Sequence, residues 1–242
     1  MINLLRKELR VFFKGFIGYL IIGFFLLITS LFLWTNLGEF NILEYGYANM
    51  NMFFEIAPIL FFIFIPAVSM RSFSEEYSTG TIEILITKPI STFKIVFAKF
   101  FSVLVLSLFS ILLTSIYIIS IYFLGEDTGN LDLASVLGSY IGLFFLTIIF
   151  SSIGIFSSSL SSNQVISFII SMLICFLFYF GFDILSDLEF LQEYNLFLKQ
   201  MGIAYHYDNM SKGLLRISDI IYFSSVCYVF LIFTKISLNN RL

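Results

Sequence analysis

Charge is what this 242-residue sequence has least of. Only 12% of its residues are Asp, Glu, Lys or Arg, about half the share of an ordinary soluble domain, while 59% are hydrophobic and mean hydropathy is +0.99. So few charges cannot cover a globule of this size with a wet surface, which excludes a soluble enzyme, a nucleic-acid binder and a disordered tail. Cysteine is nearly absent as well. Cys175 and Cys227 lie in strongly apolar runs and read as small buried hydrophobes, too few for a disulfide framework. A single histidine, His206, rules out a histidine-cluster metal site. Proline is scarce, three residues in all, which suits long uninterrupted helices.

What is present is apolar length. A membrane-spanning helix needs about 20 mostly apolar residues, and six stretches qualify: approximately 15–34, 53–70, 95–124, 133–158, 164–182 and 218–234. The third and fourth exceed the minimum, so tilt or extension beyond the bilayer is expected. The first is too long for a signal peptide, and Leu33-Trp34-Thr35-Asn36 offers no small-residue cleavage site. The fold class expected is therefore an all-α polytopic membrane protein with six transmembrane helices, formed as one domain over residues 1–242.

Basic residues orient it. Arg6, Lys7, Arg10 and Lys14 precede the first span, Arg71, Lys88, Lys94 and Lys99 surround the connection between spans two and three, and Lys235 and Arg241 follow the last. These ten of the thirteen basic residues share one side if there are six spans. The opposite loops carry Glu39, Glu44, Glu126, Asp127 and Asp132, and the third of them, 183–217, is acidic overall despite Lys199, Lys212 and Arg216. By the positive-inside rule both termini are cytoplasmic. The segment 4–13 mixes Leu4, Leu5, Leu9, Phe12 and Phe13 with its cations. It reads as an interfacial amphipathic helix with its apolar side in the headgroup boundary and its cationic side toward anionic lipid; a basic cluster that merely sets topology fits equally well.

Chemistry is hard to find. Glu55, Lys99, Asp183 and Asp219 fall near span ends and the centres carry no ionisable group, which argues against a proton-coupled transporter, a voltage sensor or an intramembrane protease. His-Glu-x-x-His, Gly-x-Ser-x-Gly and phosphate-binding P-loop motifs are absent, so the chain is expected to be non-catalytic, with any ATP handled by another chain. Ser151, Ser152, Gly154, Ser157, Ser158, Ser159, Ser161 and Ser162 cluster in the fourth span and its exit, where small residues favour close helix packing. The 33 phenylalanines read as lipid-facing bulk. Leu185, Leu188, Leu191, Tyr194, Leu198 and Met201 have the spacing of an amphipathic external helix.

The informative segment runs from Met70 to Ser91. It holds two short helix-competent pieces joined at Thr79-Gly80-Thr81. Gly80 is suited to a left-handed turn, Thr81 to capping the second piece, and Glu83 to the positive end of that helix. Lys88-Pro89 ends it, and Ser91 or Thr92 starts the third span. Lying across the cytoplasmic face, such a pair would suit a partner as a lever; a loop that only connects the spans fits equally well.

Arg71, Phe73, Glu76, Gly80, Thr81, Glu83, Leu85 and Pro89 follow a pattern that resembles the first cytoplasmic loop of ABC-2-type transporter permeases. Tyr77 and Ser78 stand where members of that family often carry basic residues. A second similar segment, Ala204–Phe223, carries Lys212-Gly213 and Ser218-Asp219 before the final span. Within the family the sequence is most similar to the gliding-motility-associated permease subunit of Bacteroidetes, sharing Phe16-Ile17-Gly18-Tyr19-Leu20 and Phe230-Leu231-Ile232-Phe233-Thr234-Lys235.

The resemblance implies a cytoplasmic coupling helix between spans two and three that docks into a separate ABC ATPase, with Arg71, Phe73, Glu75, Glu76, Gly80, Thr81, Glu83, Leu85 and Pro89 as the ATPase-coupling residues. It implies a permease subunit of the bacterial inner membrane, with ATP and Mg bound by the partner and no cofactor in this chain. Further partners would be the lipid bilayer and a second permease copy or a related membrane subunit, such as one with a large periplasmic domain. The process served would be gliding motility or an associated secretion; the alternatives are export of another substrate and a passive structural or assembly role.

Overall fold

The computed structural model describes residues 2–35, 40–42, 49–87, 89–125 and 131–241; Glu39, Glu44, Lys88, Glu126 and Asp127 lie outside them. Among the described residues there is no strand. Helix α1 (Ile2–Lys14) meets α2 (Phe16–Trp34) at a 64° bend beside Gly15. Next come α3 (Asn51–Ser69), α4 (Arg71–Ser78), α5 (Thr81–Ile86), α6 (Thr92–Leu113) and α7 (Ser115–Leu124). The chain continues through α8 (Leu133–Leu160), α9 (Gln164–Phe176), α10 (Phe182–Ser186), α11 (Asn195–Met201), α12 (Ile203–Ser211) and α13 (Ile217–Asn240). Among the described residues five stretches are long and apolar enough to cross a bilayer, namely Asn51–Ser78, Thr92–Leu124, Leu133–Leu160, Gln164–Ser186 and Ile217–Asn240, and the bent α1–α2 pair makes a sixth when it is counted as one span.

Helix α8 is the hub, packing on α3, α4, α6, α9, α12 and α13. Its small residues make this possible. Ser151, Ser152, Ser157, Ser158 and Ser159 are fully buried. Ser152, Ser157 and Ser159 donate to carbonyls of their own helix, which quiets their hydroxyls in an apolar setting. At Gly154 the approach to α3 is closest, since a Cβ there would lie 2.6 Å from Ser69 Cβ. The serine cluster is thus used for packing inside the chain.

Two of the three prolines, Pro58 and Pro66, sit inside α3, which still runs from Asn51 to Ser69, a placement that membrane helices tolerate because neighbours and side chains supply partners for freed backbone groups. Two expectations need correction. More phenylalanines are buried than exposed, with Phe53, Phe61, Phe73, Phe150 and Phe223 wholly enclosed, so they build the core as well as the lipid face. The amphipathic external helix is broken. A π-helical turn at Leu177–Gly181 leads into α10, a 3-10 turn spans Glu189–Tyr194, and α11 begins only at Asn195. Each change of helix type rotates the apolar face, so the spacing from Leu185 to Met201 lines up no single stripe. Cys175 and Cys227 are free and buried.

The end opposite the basic residues closes around α12. Tyr207 donates to the Phe54 carbonyl at 2.7 Å, and Ser139 donates to the Ser211 carbonyl at 2.9 Å. His206 lies 2.7 Å from Asp219 and stacks on Tyr222, with ring centroids 4.0 Å apart. Gly213, at φ +77°, ends α12 so that the chain can turn into α13.

Candidate functional site: the basic end of the bundle

The segment 71–91 begins as a prolongation of a span. α3 passes through Met70, itself in helical conformation, directly into α4, and the two form one 28-residue stretch. That is about 42 Å of helix against a hydrocarbon core of about 30 Å, so α4 projects beyond the bilayer as the end of a rod. The expected pair lying across the face is corrected here: α4 continues the second span, and the reversal comes at Gly80. Gly80 adopts φ +70°, the left-handed conformation expected of it, and α5 follows at once. Thr81 does not cap α5; it is the first helical residue, and its hydroxyl contacts that of Thr79 at 2.9 Å.

Neighbouring helices grip α4. Ser158 of α8 uses its hydroxyl fully, accepting from the Phe73 and Ser74 N–H groups at 2.8 and 3.2 Å and donating to the Met70 carbonyl at 2.9 Å. It supplies from another helix what an N-cap residue supplies locally, partners for first-turn N–H groups. Arg71 forks onto Glu75 one turn along, with both bonds at 2.9 Å. On the inner side stands Lys99 of α6, 1% exposed. Its ammonium lies 2.9 Å from Glu76 and 3.3 Å from Glu8 of α1, donates to the Ser72 carbonyl and sits 4.9 Å from the centre of the Phe73 ring. Two N–H donors of the ammonium are used on Glu8 and the Ser72 carbonyl, and Glu76 adds a close ion-pair contact, so the buried cation is balanced by two carboxylates. Lys7, on the rim, adds a looser contact of 3.5 Å to Glu76.

The far ends of α8 and α13 complete the arrangement. Arg241 donates to the Leu160 carbonyl and lies 4.8 Å over the Tyr77 ring. A groove of about 600 Å³ runs between Tyr77, Gly80, Ile82, Glu83, Thr87 and Arg241.

The nine residues singled out by sequence divide by direction. Phe73, Glu76 and Leu85 point inward and are buried; Arg71 and Glu75 are half-buried; Gly80, Thr81, Glu83 and Pro89 are exposed. Ile84, beside Glu83, is 63% exposed and belongs to the same outer surface. Sequence reading missed Glu8, Ser158, Arg241 and the central part of Lys99. The signals were present: Lys99 is a charge at the edge of a long apolar run, and Glu8 is the one acid among the basic residues before the first span.

Residues 3–239, nearly the whole chain, match the model of the ABC-2 family transporter protein. The chain belongs to the ABC-2 transporter family. It is therefore a multi-pass membrane subunit of an ABC transporter, a kind of subunit that works with a partner ATPase in a lipid bilayer. No curated protein matches this ABC-2 family member. Among its described residues no group of three or more His, Cys, Asp or Glu side chains is placed to hold a metal ion.

Proposed function

We propose that this subunit couples ATP binding and hydrolysis by a separate cytoplasmic ATPase to movement of its membrane helices, and that α4–α5 is the coupling element. The observation that carries the reading is the continuity of α3 with α4 together with the grip of Ser158 and Lys99. A push on α5 reaches the second span, α6 and α8 through helix and buried polar contacts instead of being lost in a loose loop. The ATPase-facing surface is Gly80, Thr81, Glu83, Ile84 and Pro89, with Glu75 and Arg71 at its edge. Phe73, Glu76 and Leu85 hold that surface in place. A second permease copy, identical or related, would complete the path across a bacterial inner membrane. Resemblance at Phe16–Leu20 and Phe230–Lys235 supports a role in gliding motility or an associated secretion.

The test is extraction of the tagged chain in mild detergents, followed by mass spectrometry of co-purifying proteins. A stoichiometric P-loop ATPase is expected, and Glu83→Lys should release it while changing the stability of the chain by no more than about 0.5 kcal/mol, as for an exposed site. Absence of an ATPase across several gentle detergents would turn the reading toward a passive structural protein. An ATPase that stays bound to Glu83→Lys and to Ile84→Asp would place the contact elsewhere.

A further inference from the structure

Helix α1 does not lie with its apolar side free in the headgroup layer. That side is taken by the protein: Leu4 and Glu8 are buried, Phe13 meets Phe109 of α6 edge-on at 5.9 Å, and Leu5 and Phe12 pack on the core. What remains outward is a stripe of Asn3, Arg6, Lys7, Arg10 and Lys14, at helical spacings of three and four. These residues, with Val11, line an open groove of about 550 Å³. The only acid of the helix, Glu8, is buried against Lys99 and reaches just Lys7 of the stripe, at 3.9 Å, so among the described residues of α1 no carboxylate offsets Arg6, Arg10 and Lys14.

From this we infer that the outer face of α1 is a binding site for the phosphate groups of anionic phospholipids in the adjoining leaflet. Charge complementarity names an anion, and two further features name a membrane as its source. α1 bends by 64° from the apolar helix running to Trp34 that completes the sixth candidate span, and a bend at that point sets the stripe at the bilayer surface. Large apolar side chains stand among and beside the cations, with Ile2 63%, Val11 58% and Phe16 77% exposed; they match an interfacial layer and would be ill placed against water. Lys7 belongs both to this stripe and to the contacts of Glu76, so the lipid site adjoins α4.

Native mass spectrometry of the detergent-solubilised chain, titrated with dioleoylphosphatidylglycerol or dioleoylphosphatidylcholine, tests the assignment. A basic residue near an anionic surface contributes about fivefold in affinity, so Arg6→Gln/Arg10→Gln should weaken phosphatidylglycerol binding about 30-fold. Phosphatidylcholine binding should not change. The double variant keeps Lys7 and Lys14 for orientation and lies outside the Lys99 contacts. The unmodified chain provides a test that needs no variant: it should prefer phosphatidylglycerol, and added salt should erase the preference. Equal affinity for the two lipids, or undiminished phosphatidylglycerol binding by the double variant, overturns the inference. Competition by inorganic phosphate at concentrations comparable to those of the lipid would also overturn it, since the groove would then read a soluble anion.

Discussion

α4 and α5 are neighbours in sequence, similar in length and parts of one motif, yet they are held in opposite ways. α4 prolongs a membrane span, is met by a hydroxyl from α8 and an ammonium from α6, and keeps Phe73 and Glu76 buried. α5 is six residues long, is seated through Ile82 and Leu85, and turns Glu83 and Ile84 outward. The difference teaches that one short motif can contain both an outward-turned surface and a rod fixed to the bundle, with Gly80 as the joint.

Removal of Lys99 should break the comparison most severely. Lys99→Met leaves Glu8 and Glu76 buried beside each other with only Lys7 at the rim, 3.9 and 3.5 Å away, as a counter-charge, and a loss of about 3 kcal/mol, the low end for a broken buried pair, is expected in a thermal-shift assay in detergent. Neutralising both acids as well, in Lys99→Met/Glu8→Gln/Glu76→Gln, should restore much of the loss, because the cost lies in stranded charge. Ser158→Ala comes next. It strips partners from two N–H groups of α4 and should cost about 1–2 kcal/mol, a range shared by lost caps and lost buried hydrogen bonds. The same change should leave α5 contacts with an ATPase intact when α4 remains folded. The joint should lose no more than that. A Cβ at Gly80 would meet open space, so Gly80→Ala carries only the backbone cost of the left-handed conformation, about 1–2 kcal/mol at most. Gly80→Asn should recover part of it, since asparagine tolerates that conformation better.

How much of this could be read from the sequence depended on the distance over which each feature is decided. The spans were legible because apolar length is local, and the turn at Gly80 because a positive φ between two helix-competent pieces calls for glycine. The direction in which each residue of the 71–91 segment faces was not legible. A motif match gives Phe73, Glu76 and Leu85 positions but no side, and sides are settled by α1, α6 and α8. The Lys99 cluster joins residues far apart in the chain, and no periodicity links Glu8 to Lys99. The external segment failed for a local reason of another kind, since the 3-10 turn at Glu189–Tyr194 falls inside the Leu185–Met201 spacing and rotates the residues after it relative to those before.

The contact between Glu8 and Lys99 also has a consequence in time. The two residues are 91 apart. At a synthesis rate of about 5–20 residues per second, Glu8 waits roughly 5–18 s for its partner to be made, and longer for Ser158 and Arg241. During that interval the first helix has no buried cation to face and its carboxylate must stay in water. Sealing the basic end is thus a late event in the birth of the chain, since Glu8 gains its buried partner only once the third span has been made.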